Sequence, residues 1–167
     1  ISSEFEKYEP VKYDPRINFN QNSQIHLSET EKSLRKLIID GIYDGDIYFM
    51  KNYFKQIWMD MENIRLRGRK NISSPKEETE LDNATFGQLL EILKNEESKN
   101  RAKIKNIESW EHLVSSVEVI APHRNNLCHN RGTVDGDLDI DSKFIFVGSC
   151  NKIRKFCFQT LYEILYR

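Results

Sequence analysis

Apolar side chains recur at three- and four-residue steps along most of this chain, and that period admits one kind of backbone. The longest run, Met50, Tyr53, Phe54, Ile57, Trp58, Met61 and Ile64, predicts a helix from about Asp46 to Arg67 with one buried face. "RLRGRK", Arg65 to Lys70, closes it with positive charge, which suits a helix C-terminus better than it suggests an RNA-contact patch. Leu34, Leu37, Ile38 and Ile42 mark a helix that starts near Ser28. There "SETE" reads as a capping box, with Ser28 as N-cap and Glu31 reaching back, and Gly41 or Gly45 marks the end. A short helix over Thr85 to Leu93 turns Phe86, Leu89, Leu90 and Leu93 inward. Another, from about Ser109, buries Trp110, Leu113, Val114, Val117 and Ile120 and meets Pro122. "KFIFVG" is ambiguous between a short strand and a helix start. The last helix, about Ser149 to Tyr166, turns Ile153, Cys157, Leu161 and Ile164 or Leu165 inward. The total is four to five helices, an all-α bundle.

Residues 28–167 therefore form the helical domain. Residues 1–27 hold Pro10 and Pro15 without a sustained period and read as an extended arm or linker. The 167 residues suit one core. The net charge of −1 supplies no global field toward nucleic acid or membrane, so any anion-binding surface must be local. No apolar run is long enough to span a membrane, and no stretch has the basic start and apolar middle of a signal peptide. Cys128, Cys150 and Cys157 lack the spacing of a zinc site; the last two share one face of the final helix and read as core thiols of a cytoplasmic protein. The chain opens on Ile1 instead of Met, which points to a piece of a longer protein.

Polar chemistry concentrates in "APHRNNLCHNRG", Ala121 to Gly132, where the apolar period ends. On a helix, Asn125 and His129 stack one turn apart, while Arg124 lies about 140° around the axis from His129. If the helix continues through Pro122, Arg124 falls in line with Leu113, Val117 and Ile120. A guanidinium on that stripe needs a partner, an interface or a ligand. Pro122 as the first residue of a fresh helix is the alternative. The chemistry on offer is an imidazole that moves protons at neutral pH, a guanidinium whose donor fork matches phosphate oxygens, and a carboxamide that fixes the imidazole. Together they suit attack of a ribose 2′-hydroxyl on its own phosphate. No set of carboxylates and histidines has metal-ligand spacing, so neither a metal nor another cofactor is expected. His123 and Arg131 flank the cluster as candidate RNA contacts. Asn126 and Asn130 read as solvent or capping residues, Cys128, Tyr162 and Tyr166 as packing residues, and His26 and His112 as structural or exposed.

"RNNLCH", Arg124 to His129, resembles the R-x4-6-H motif of the HEPN superfamily, including the polar residue after the arginine. "ATFGQLLEIL", Ala84 to Leu93, is similar to the threonine- and glycine-containing helix that precedes that motif in several HEPN groups. The resemblance covers about residues 28–167. It implies a bundle that pairs into a homodimer, with two facing motifs forming one metal-independent endoribonuclease site of toxin, defence or RNA-processing type. In that site Arg124 and His129 would be the catalytic pair, with Asn125 as polar helper. The products would carry a 2′,3′-cyclic phosphate and a 5′-hydroxyl, and an antitoxin or a larger protein would be a further partner. The family also holds non-catalytic modules that dimerise or bind RNA or protein, and this is the competing expectation.

Overall fold

The structure, a computed structural model, describes residues 11–69, 84–102, 107–128 and 140–165. Among these residues are seven α-helices, one π-helical turn and no strand, so the chain is all-α. Helix α1 (Phe19–Leu37) runs into the π-turn Ile38–Tyr43. It is followed by α2 (Ile47–Tyr53), α3 (Lys55–Arg69), α4 (Phe86–Lys94), α5 (Glu96–Ala102), α6 (Ile107–Cys128) and α7 (Ile140–Leu165). The long helices α1, α6 and α7 form the centre of the bundle, with α7 packed on both of the others. Leu34, Leu37, Leu113, Val117, Ile120, Phe146 and Ile153 meet in one core.

Helix α1 begins nine residues before the expected start. Asn18 caps it: its Oδ1 accepts the Gln21 N–H at 2.8 Å, and Gln21 Oε1 accepts the Asn18 N–H at 3.4 Å. Ser28 is therefore an exposed residue within the helix, and "SETE" caps nothing. The early turns carry no continuous apolar stripe because the polar Asn22, Ser23, His26 and Thr30 are buried there alongside Phe19 and Leu27. Asn22 also fastens the incoming chain, accepting from Asp14 N and donating to Asp14 O, each at 2.8 Å.

The helix expected over 46–67 is two helices. Asp46 caps α2, its carboxylate accepting the Phe49 N–H at 3.1 Å. Phe54, at φ −137° and ψ 44°, breaks the run before α3. Met50, Phe54, Ile57, Trp58 and Met61 stay buried, while Tyr53 and Ile64 are exposed. The side chains of Arg65 and Arg69 and the whole of Lys70 lie outside the described residues. The turn ahead of α2 passes through Asp44 (φ 45°) and Gly45 (φ 76°), the left-handed region where glycine is least strained. Gly41 is a buried position of the π-turn, where an added Cβ would lie 3.0 Å from Ile164 Cδ1.

Helix α6 continues unbroken through Pro122. Helix α7 starts at Ile140, so "KFIFVG" is helical, although Phe144 and Ile145 remain exposed. Cys150 and Cys157 are buried on one face as expected. Burial pushes the Cys150 thiol up to about 11 and that of Cys157 higher still, which keeps both protonated and unreactive. Among the described residues no helix is long and apolar enough to cross a membrane.

Candidate active site at the end of helix α6

Because α6 runs through Pro122, Arg124 does fall on the stripe of Leu113, Val117 and Ile120, within about 40° of each. The charge that this phase demands lies 93 positions earlier. Arg124 Nε donates to Glu31 Oε1 at 3.0 Å, and both side chains are only 20% exposed. On its other side the guanidinium carbon stands 5.8 Å from the centroid of the Phe86 ring, within cation–π range. Glu31 is thus a mid-helix partner of α6 instead of the capping-box member expected of it.

Local sequence places each contributor. Glu31 and Arg35 are one turn apart on α1, with Arg35 Nη2 at 3.6 Å from Glu31 Oε2. Arg35 Nη1 also donates to Ala84 O at 2.9 Å, which fixes the chain just before α4. There Thr85 caps α4: its Oγ1 accepts the Gln88 N–H at 3.2 Å, and Gln88 Oε1 accepts the Thr85 N–H at 2.9 Å. That cap sets the first helical residue, Phe86, inward beneath Arg124. Three helices therefore converge on a single guanidinium. The contact with Glu31 uses Nε, and no acceptor for the Nη groups lies among the described residues. An arginine held this way is oriented by one edge while the other keeps its donors for a bidentate oxyanion.

The remaining expected site residues divide sharply. His123 is half-buried, with its ring edge-on to Phe146 at 5.7 Å, and burial lowers its pKa. Asn125 belongs to α6 by its backbone, but its side chain, like those of Asn126 and Cys128, lies outside the described residues. His129, Asn130, Arg131 and Tyr166 lie outside them entirely. Among the described residues no group of three or more His, Cys, Asp or Glu side chains could hold a metal ion.

A second polar cluster escaped the sequence reading. Arg154 of α7 is 4% exposed and His26 of α1 is fully buried. Arg154 Nη1 donates to His26 O at 3.2 Å, both Nη groups approach His26 Nδ1 at 3.4 Å, and Nη2 also donates to Asn151 Oδ1. Burial first, and the neighbouring guanidinium second, push the His26 pKa down to about 4, so the imidazole is neutral and accepts at Nδ1. The Thr30 hydroxyl completes the cluster by donating to His26 O at 2.7 Å. The available signal was the spacing of Asn22, Ser23, His26 and Thr30, a polar stripe at helical period.

No protein-family model, curated protein or solved structure matches the chain.

Proposed function

We propose that the chain is a HEPN-like endoribonuclease domain that cleaves RNA without a metal and pairs with a second copy to complete its site. The observation that carries this reading is the Nε-anchored Arg124, held by Glu31 and Phe86 at the end of α6, five residues before His129. In the reaction, His129 takes the proton of a ribose 2′-hydroxyl. The 2′-oxygen bonds to the adjacent phosphorus, and the bond from phosphorus to the 5′-oxygen breaks. The Arg124 Nη groups stabilise the charge on the non-bridging oxygens, and a protonated imidazole supplies the leaving oxygen with its proton. Asn125 orients the imidazole. The products are a 2′,3′-cyclic phosphate and a 5′-hydroxyl, as expected of a toxin, defence or RNA-processing nuclease.

The test is cleavage of a long unstructured RNA in EDTA by the parent chain and by His129→Ala. The reading expects cyclic-phosphate ends from the parent and loss of cleavage by at least about a hundredfold in the variant. Equal activity removes His129 from the chemistry. One observation favours a non-catalytic module instead: Glu31 already balances the Arg124 charge, so the stripe needs no substrate to account for it. Tight binding of RNA or a partner protein without strand scission would select that reading.

A further inference from the structure

Helices α6 and α7 leave a groove of about 470 Å³ between their outer faces, lined by His112, Ser116, Lys152, Lys155, Phe156 and Gln159. Its size matches sites that hold one small ligand or one unit of a chain. Lys152 and Lys155 are exposed, and neither has a carboxylate within ion-pair distance among the described residues. Phe156 is half-buried, packing against the core while also lining the groove. On the α6 side the carboxylate of Glu108 lies 3.9 Å from His112 Nε2 and is largely exposed. Two ammonium groups, an aromatic ring, a hydroxyl and a carboxamide around one concavity are the components of a single-strand nucleic-acid site. Cations follow the backbone, the ring stacks a base, and the polar groups meet base edges.

The groove is also connected to the candidate active site. His112, Ser116 and His123 lie within about 40° of one another around α6, so they share the seam with α7. His123 closes that seam against Phe146 and precedes Arg124 in the chain. Arg124 itself is about 18 Å along the helix from His112 and about 120° around it. A strand seated in the groove and leading along the seam would arrive beside the motif. This also answers the charge problem raised by the sequence: with a net charge of −1, the grip on a polyanion has to be local.

We infer that this groove is a binding subsite for single-stranded RNA, in which Lys152 and Lys155 engage phosphates and Phe156 stacks a base, some distance from the scissile bond. The inference rests on the RNA reading above, but its test does not require cleavage. A fluorescent 2′-O-methyl oligoribonucleotide has no free 2′-hydroxyl and cannot be cut by that chemistry. Its affinity for the full chain is measured by anisotropy between 50 and 200 mM salt. Each phosphate contact on a single strand contributes about 0.7 to the slope of log K against log salt, so K152A/K155A should flatten the slope by about 1.4. Phe156→Ala should weaken binding between about fivefold and a hundredfold. The control is K51A/K55A, two exposed lysines on α2 and α3 that should leave both quantities at parental values. Unchanged melting curves establish that each variant is folded. A parental slope in K152A/K155A, an equal loss in the control, or no binding by the parent overturns the subsite. Should the groove variants behave as the parent while His129→Ala alone abolishes cleavage, the subsite fails and the nuclease reading stands. Groove-dependent binding without cleavage gives the reverse.

Discussion

Replacing Glu31 with glutamine keeps the volume and one acceptor oxygen of the side chain, but turns the other oxygen into an N–H donor and removes the negative charge between Arg124 and Arg35. Two unit charges about 4 Å apart attract by roughly 1 kcal/mol in water and about 4 kcal/mol at an effective dielectric constant near 20. With each side chain 20% exposed, the pair of Arg124 and Glu31 belongs nearer the second limit. Desolvation and the ordering of two long side chains reduce this to a net coupling of about 2 kcal/mol. The two single substitutions should not cost the same. Arg124→Gln leaves Glu31 with Arg35, still 3.6 Å away, and should cost about 2 kcal/mol. Glu31→Gln leaves two guanidinium groups facing each other without a carboxylate and should cost about 3 kcal/mol. Urea unfolding of the parent, both single variants and the double variant, followed by helical circular dichroism, yields the coupling directly. A coupling below about 0.5 kcal/mol would mean that the contact is no stronger than a surface pair. Equal costs for the two single variants would show that Arg35 takes no part.

Two further outcomes follow from other parts of the bundle. His26 is neutral in the folded chain, with its pKa lowered to about 4, and returns toward 6.5 on unfolding. Between those values the unfolded chain binds the extra proton, so stability is complete above about pH 6.5 and falls on acidification to about pH 4, by roughly 3 kcal/mol. Urea midpoints measured across that range should show the decline in the parent and a flatter profile in His26→Gln; parallel profiles would remove His26 as the cause. Pro122 is exposed and interior to α6, where it lacks the N–H that would bond to the carbonyl of Glu118. Pro122→Ala should therefore stabilise the chain by about 1–3 kcal/mol in the same assay, whereas a neutral or destabilising effect would argue for a helix that restarts at Pro122.

What the sequence made legible is the part of the fold that apolar periodicity encodes. The stripes of α4, α6 and the second half of α1 are buried nearly residue for residue, and Thr85, Asp46 and the two buried cysteines occupy the places their chemistry suggests. Period alone fails in two physical situations. The first nine residues of α1 bury a carboxamide, a hydroxyl and an imidazole, so a hydropathy pattern reads them as arm while Asn18 and Gln21 cap a helix there. The break at Phe54 lies inside an apolar run that continues on both sides, and a single residue outside helical φ/ψ leaves no mark on composition.

The candidate site shows a different limit. Helical phase alone required that a guanidinium at position 124 be compensated, provided Pro122 did not restart the helix, and the unbroken α6 satisfies that condition. Phase could not say by what, because the answer is a long-range pairing: Glu31 faces α6 only once α1 and α6 are assembled around the same core. The local reading spent Glu31 on a capping box, a short-range use of the same carboxylate. Arg154 makes the converse point. It sits three residues after Asn151 on a helix whose inward face was legible from Ile153, Cys157 and Leu161, yet it is buried beside a neutral histidine. No described carboxylate pairs with it; carbonyl, carboxamide and imidazole acceptors disperse its charge instead. Both arginines belong to the long helices at the centre of the bundle, but they are held differently. Arg124 is fixed by a carboxylate at Nε and, among the described residues, its terminal donors have no acceptor, whereas Arg154 directs its terminal donors into the α1–α7 interface. This difference in bonding, more than the motif spacing, is what the proposal for Arg124 rests on.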